Sequence, residues 1–241
     1  MSNNPWFGAT MGLVGIIAGY ATATMLYGSS VSPMPTPSPG TTPTPTPTPT
    51  EALPAPTGTA PTPGIGYTMG DEDATVTLIE FTDFDCPFCV RHYEQVYPQI
   101  KKDYVETGKV KYELRNLPLV SLHPNADVAA EAANCAGKQN KFWEMHDLLF
   151  ENQPSRGAVA DPAAEMKKYA AQLGLNATQF ASCLDNHETE AAVQADVAAG
   201  GSAGIDGTPG FWVVGPDGQT KQIVGAYPYE TFKAAFDEML N

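Results

Sequence analysis

Cys86 and Cys89, two residues apart in the stretch FTDFDCPFC, carry the most reactive side chains of this sequence. A Cys-x-x-Cys pair can be half of a zinc site, a redox pair, a haem attachment or an ordinary disulfide. No second such pair and no suitably spaced histidine supplies further zinc ligands. Haem attachment needs a histidine directly after the second cysteine, where Val90 stands. A redox pair and an inert structural disulfide remain as alternatives.

The segments around this pair predict that it begins a helix. Residues 75–81, TVTLIEF, are apolar and rich in β-branched side chains, which is typical of a buried strand, and a helical pattern follows the pair. At a helix start, free backbone N–H groups and the helix dipole stabilise a thiolate, so we expect the pKa of Cys86 to lie below about 8.5. Cys89, one turn later, is placed to resolve a mixed disulfide formed by Cys86.

The rest of the chain predicts one α/β domain over residues 65–241. The spacing of apolar residues predicts, in order, a strand at 109–117, a helical block at about 121–199, strands at 211–214 and 221–224, and a closing helix at 229–240. This order of elements is typical of a thioredoxin-type α/β sandwich with a helical domain inserted at about 119–203.

The first 64 residues predict a membrane tether. After a tail at 1–5, residues 6–27 contain no charged side chain, and at about 1.5 Å per residue they can cross a bilayer core of roughly 30 Å. The alternative is a cleaved signal peptide with a small-residue site at 21–23, but such peptides normally begin with positive charge, which MSNNP lacks. Residues 28–64 alternate proline with threonine, serine and alanine, which predicts a disordered linker. We therefore expect a single-pass anchor in the cell membrane, with the domain outside the cytoplasm.

The charge balance excludes some classes of partner. The chain has 27 acidic and 13 basic residues, a net charge of −14, so neither nucleic acid nor anionic lipid is expected to bind through charge. Membrane contact is expected through residues 6–27 alone. Asp83 and Asp85 precede the cysteine pair, and like charges there are expected to raise the pKa of Cys86.

Cys135 and Cys183 both lie in the predicted helical block. A disulfide between two packed helices is plausible in an oxidising compartment, and we interpret this pair as a structural staple. The alternative, a second redox relay, has less support because neither cysteine has a neighbouring partner or motif. Among the four histidines, only His92, one turn beyond Cys89, is placed to tune the reactive pair.

Three features together resemble the DsbA-like thiol-disulfide oxidoreductases of the thioredoxin superfamily. They are CPFC after a buried strand, the helical insert, and GIDGTPGFWVVG before the last hairpin, and the resemblance covers about residues 65–241. It implies that Glu80 is a buried acid that exchanges a proton with Cys89, although a solvated carboxylate at a strand end is the alternative. It also implies that Thr208-Pro209 is a cis-proline loop facing the pair, where a client strand adds to the sheet edge.

The residues beside these motifs depart from the family pattern in two places. Phe88 adds an apolar surface beside the sulfurs, where strongly oxidising members carry histidine. Gly210 follows the proline where a larger, often β-branched residue is usual.

The expected function is therefore a membrane-anchored oxidoreductase that forms disulfides in exported proteins through Cys86 and Cys89. Its partners would be client proteins with cysteines and a membrane redox partner that reoxidises the pair. No prosthetic group and no metal are implied. The alternatives are a disulfide reductase or isomerase of the same fold, and a non-catalytic holdase that binds clients beside inert cysteines.

Overall fold

A computed structural model describes residue 53, residues 55–153 and residues 159–241. The strands are β1 (Tyr67–Met69), β2 (Val76–Thr82), β3 (Val110–Asn116), β4 (Gly210–Val214) and β5 (Thr220–Val224). The helices are α1 (Pro87–Gln95), α2 (Tyr97–Ile100), a π-helical turn at Lys101–Val105, α3 (Ala126–Gly137), α4 (Phe142–Glu151), α5 (Pro162–Gln172), α6 (Ala177–Asp185), α7 (Glu190–Ser202) and α8 (Tyr229–Leu240).

The strands form one mixed sheet in the order β1-β3-β2-β4-β5. β2 and β3 are parallel, so the chain must cross over between them, and α1, α2 and the π-helical turn make that connection. The other neighbouring strands are antiparallel. β2 is central and all seven of its residues are buried, which explains its almost continuous apolar sequence. The predicted α/β sandwich is confirmed, and α3 to α7 lie between β3 and β4.

β1 is absent from the sequence prediction. It has only three residues and pairs antiparallel with β3 at the edge of the sheet. A strand of that length is too short to establish an alternating pattern, and its position depends on a partner more than forty residues away.

The sheet buries apolar side chains on both faces. One face packs against α2 and α8 through residues that include Leu78, Tyr112, Phe211 and Phe232. The other face packs Ile79, Phe81 and Trp212 against the end of α7 and the loop that follows it. Neighbouring residues of β2 therefore serve different cores, as the alternation of side chains along a strand requires.

The inserted helices build a third core around a disulfide between Cys135 of α3 and Cys183 of α6. Both sulfurs are almost completely buried among side chains such as Met145, Phe150 and Phe180. The cross-link spans 48 residues of sequence.

Residues 57–66, here called the strap, pack against the domain although most of them fall in the range predicted as linker. The amide of Thr57 donates to the Gln222 side chain (2.8 Å), and the amide of Thr59 donates to the Ser202 carbonyl (3.2 Å). A Cβ atom on Gly58 would lie 2.1 Å from the carbonyl carbon of Ala203, so the close approach requires glycine.

The other end of the strap provides hydrogen-bond partners for two charged side chains buried on β3. Glu113 and Arg115 form an ion pair (2.8 Å) with at most 1% of either side chain exposed. Glu113 also accepts hydrogen bonds from the amides of Gly64 (2.5 Å) and Gly66 (2.9 Å), and Arg115 donates to the Thr62 carbonyl. A buried ion pair is tolerated only when its remaining polar atoms are hydrogen-bonded, which the strap achieves.

No helix among the described residues is long and apolar enough to cross a bilayer. The predicted anchor at residues 6–27 lies outside the described residues.

Replacing both Cys135 and Cys183 with alanine should lower the free energy of unfolding by about 4 kcal/mol, because the unfolded chain loses a cross-link of this loop length. Urea unfolding without reductant, followed by circular dichroism, measures the change. The rate at which Cys86 exchanges disulfides should stay at the parental value. An unchanged unfolding midpoint would contradict the stabilising role.

Candidate active site

Cys86 occupies the N-cap position of α1, and Pro87 is the first helical residue. The Cys86 backbone is extended (φ −78°, ψ 123°), and its carbonyl accepts from the amides of Cys89 and Val90 at 3.1 Å each. Proline is favourable at the first helical position because the N–H it lacks would have no partner inside the helix. The Cys86 side chain therefore lies where the unpaired N–H groups of the first turn point.

The structure describes both cysteines of the pair as free thiols. The pKa of Cys86 is lowered to about 6, chiefly by a hydrogen bond from the Cys89 thiol. The amides of Cys89 and Phe88 lower it further, while burial opposes them. The pKa of Cys89 is raised, first by its burial and then by the neighbouring charges of Cys86 and Glu80. At neutral pH, Cys86 is thus the thiolate nucleophile and Cys89 the protonated thiol.

The net shift of the Cys86 pKa is downward, against the rise expected from Asp83 and Asp85. The Asp83 carboxylate is buried and accepts hydrogen bonds from the amides of Asp85 and Leu119 and from Nδ1 of His123, each at 2.8 Å. Its charge is therefore compensated by donors on the loop after β3.

The turn before Cys86 is held in place from two directions. Asp83 ties it to the loop at Leu119, as described above. On the other side, the Phe84 ring packs against Phe150 of α4 (5.0 Å between centroids), and the Gln153 side chain donates to the Asp85 carbonyl (2.8 Å). The helical insert thus helps to fix the start of α1.

Thr208 and Pro209 lie opposite Cys86, joined by a cis peptide bond. The Cys86 Sγ atom lies 3.4 Å from the Thr208 carbonyl oxygen, to which the protonated thiol donates. Gly210, the family departure noted above, begins β4, and a Cβ atom there would lie 2.4 Å from the Ile205 side chain. Ile205 fills the space that a larger residue at position 210 would need.

Glu80 lies in the middle of the buried strand β2 and is only 2% exposed, so it is not a solvated strand-end carboxylate. Burial raises its pKa to about 7, although a hydrogen bond from Tyr112 holds it lower than burial alone would. A carboxyl group with a pKa near neutrality exchanges protons readily at physiological pH.

Tyr112 and His92 complete this buried polar group. The Tyr112 hydroxyl donates to Oε2 of Glu80 and lies 3.4 Å from Nε2 of His92. Tyr112 is not predicted as a site residue from the sequence, because a tyrosine in an alternating strand is typical of an ordinary core residue. Its position beside Glu80 depends on the parallel register, in which Leu78 pairs with Tyr112 and Glu80 with Leu114, and no local pattern encodes that register.

The rim of the site exposes apolar side chains. Phe88 is 54% exposed, with the Arg91 guanidinium 5.2 Å above its ring. Val120 and Leu122, on the loop tied to Asp83, are 50% and 70% exposed. These residues offer an apolar surface that can contact an unfolded chain.

The structure therefore brings Cys86, Cys89, Thr208 and Pro209 together and buries Glu80 in the strand that leads to them. It joins Cys135 and Cys183 in a separate disulfide between two helices of the insert, within a core cluster that also includes Cys86 and Cys89.

Comparisons with known proteins agree with this geometry. A family model described as Thioredoxin matches residues 63–238. The chain is 35% identical over 173 residues to Na(+)/H(+) antiporter NhaA 3 of Salinispora tropica, covering 72% of this chain and 24% of the antiporter. It is 31% identical over 130 residues to Disulfide bond formation protein D of Bacillus subtilis, covering 48% and 57% of the two chains. The chain thus spans about a quarter of the first relative and less than two thirds of the second.

A solved structure shares the architecture. The oxidised form of BdbD from Bacillus subtilis superposes with a TM-score of 0.66 at 26% identity, covering 75% of this chain and 95% of that one.

The thiolate should be visible in a titration. Absorbance of the reduced chain at 240 nm should rise with a midpoint near pH 6, and replacing Cys89 with alanine should move that midpoint upward because the main hydrogen-bond donor is lost. Cys86→Ala is the control and should show no midpoint near pH 6. A Cys89→Ala variant that titrates like the parent would contradict this account.

Burial and the charge of His146 lower the pKa of His92 to about 3, so this histidine is neutral in the folded domain. Between pH 6.5 and 3 the unfolded chain binds the additional proton, and stability contributed by neutral His92 is lost as the pH falls. Because Glu80 and His146 also titrate, the comparison is between parent and His92→Phe. As the pH falls below 6.5, the unfolding free energy of the parent should decrease relative to that of His92→Phe by up to about 1.4 kcal/mol per pH unit. Urea titrations from pH 7 to pH 5 measure it, and parallel curves would disprove a neutral His92.

Proposed function

We propose that this chain, which belongs to the thioredoxin family as a DsbA-like thiol-disulfide oxidoreductase, forms disulfides in exported proteins through Cys86 and Cys89. A client thiolate attacks the Cys86 sulfur of the oxidised pair, and Cys89 leaves. A second client thiolate then attacks the mixed disulfide and releases Cys86 as a thiolate, so the client gains the disulfide and the enzyme two thiols.

The lowered pKa of Cys86 is the observation that supports this direction of exchange, in which the enzyme gives its disulfide to the client. Hydrogen bonds that stabilise the thiolate stabilise the reduced enzyme, and an enzyme whose reduced form is stable gives its disulfide away. A pKa of about 6 lies between those of thioredoxin, about 7, and DsbA, about 3.5, which favours an oxidant of intermediate strength.

Client binding is proposed at the exposed side of the pair. The Thr208 carbonyl beside Cys86 is placed to pair with an extended client strand, and the exposed side chains of Phe88, Val120 and Leu122 supply apolar contact. These contacts need neither a particular client sequence nor a charged client side chain, which suits an enzyme that acts on many unfolded chains.

The location is also part of the proposal. An uncharged segment at residues 6–27 and a proline-rich segment after it support a single-pass anchor in the cell membrane, and a Cys135–Cys183 disulfide supports an oxidising, extracytoplasmic compartment. A membrane redox partner would take up the electrons and restore the Cys86–Cys89 disulfide.

Oxidation of a reduced, unfolded client such as ribonuclease A by the full chain tests the activity. The oxidised chain should restore client activity, Cys86→Ala should abolish the effect, and the Cys135→Ala, Cys183→Ala double variant should retain it. Equilibration with glutathione should place the reduction potential above about −200 mV, because thioredoxin lies at about −270 mV and DsbA at about −120 mV. A potential near that of thioredoxin would favour a reductase, and no thiol exchange would favour a holdase.

A further inference from the structure

We propose that Tyr112 and His92 form a proton relay that connects Glu80 with a surface groove, so that Cys89 gains and loses its proton through the interior of the domain. The inference rests on the proposed thiol-disulfide exchange and assigns two positioning residues to it. The groove is lined by Arg91, His92, Gln95, Val96, Ala226, Tyr227 and Pro228.

The contacts are continuous from the acid to the histidine. The Tyr112 hydroxyl donates to Oε2 of Glu80, and the same oxygen lies 3.4 Å from Nε2 of His92. All three side chains are at most 2% exposed, and Cys89 is fully buried. A proton exchanged between Cys89 and solvent must therefore pass through neighbouring groups.

His92 has the features of the outer member of such a relay. Its Nδ1 is buried without a hydrogen-bond partner among the described residues, and the residue lines the groove. An unpaired polar atom in a core costs about 1–3 kcal/mol. Its ring packs between Phe211 and Phe232, at 4.6 and 5.3 Å between centroids, where phenylalanine would avoid that cost. A neutral imidazole can give a proton at one nitrogen and accept one at the other.

The protons and electrons balance in each half of the cycle. When a client thiolate attacks Cys86, the disulfide bond breaks and Cys89 leaves with the electron pair. Cys89 then takes the proton of the Glu80 carboxyl group. Glu80 is reprotonated by the Tyr112 hydroxyl, Tyr112 by Nε2 of His92, and Nδ1 of His92 by solvent in the groove. The net change is one proton moved from solvent to Cys89, and reoxidation by the membrane partner reverses every transfer.

Several titratable groups face this relay from the surrounding elements. They are Cys86 and Cys89 at the start of α1, Tyr97 on α2, His146 on α4, and Arg91 and Tyr227 at the groove. Because their charges shift any pH profile, the decisive experiment measures a rate at fixed pH.

The test follows oxidation of the reduced full chain by excess oxidised glutathione. Cys86 first forms a mixed disulfide in a step that depends on glutathione concentration. Cys89 then resolves it in a step that does not, and that step requires Cys89 to lose its proton. Acid quenching, alkylation and mass spectrometry distinguish formation of the mixed disulfide from its resolution. His92→Phe and Tyr112→Phe should slow resolution by about a hundredfold or more, the typical effect of losing general acid–base catalysis, and leave the first step unchanged. Tyr104→Phe, which removes a tyrosine hydroxyl bonded to Asp237, is the matched control and should resolve at the parental rate.

Chemical rescue separates proton transfer from packing. In His92→Ala, added imidazole should restore most of the lost resolution rate, whereas benzene, of similar size but without ring nitrogens, should not. Equal rescue by benzene would overturn the relay, as would parental resolution in both His92→Phe and Tyr112→Phe while Glu80→Gln is slow. In that last case the proposed function would stand. If the parent forms no mixed disulfide at Cys86, the proposed function itself fails.

Discussion

The stabilisation of a thiolate at the start of α1 is the interaction on which the rest of the structure depends. It requires that the helix begin at Cys86, that Thr208 lie within reach of the sulfur, and that Cys89 stay protonated beneath it. Each requirement has its own support in the fold. The Asp83 contacts and the insert fix the turn before the helix, β4 places Thr208, and burial keeps the proton on Cys89.

The sheet buries two acidic side chains, one with a structural role and one with a chemical role, and their surroundings differ accordingly. Glu113 faces one side of β3 and is saturated by Arg115 and by strap amides, so it serves stability. Glu80, which pairs with Leu114 of the neighbouring strand, has the Tyr112 hydroxyl as a donor and no cation beside it among the described residues, and burial raises its pKa to about 7. An ion pair there would hold the carboxylate charged and remove its ability to exchange a proton. The absence of a compensating charge among the described residues near Glu80 is thus what makes it useful to Cys89.

Much of this arrangement follows from the sequence because the signals are local. The β-branched run of β2, the CPFC motif and the Thr-Pro before β4 predict the order of elements and the two halves of the site. The partners of Glu80 do not follow, because they depend on the register between β2 and β3 and on where α1 packs. The partners of Asp83 do not follow either: its charge is visible in the sequence, but the donors at Leu119 and His123 are more than thirty residues away. Composition alone assigns residues 57–64 to the linker. It cannot show that these residues are held on the domain, because their hydrogen-bond partners lie on β3 and β5, far away in the sequence.

The strap determines how a tethered domain can turn. For the proposed anchor at residues 6–27, the chain is already held against the domain at Leu53 and not only from residue 64, because Leu53 packs against the core shared with α2 and α8 and Thr57 is hydrogen-bonded to Gln222. Thr57 contacts Gly204, four residues before Thr208, and Gln222, which pairs with Trp212 in the middle of β4. An anchor of the proposed kind would join the domain through a segment fixed to the sheet, and this would restrict the orientations in which the cysteine pair meets chains emerging from the same membrane.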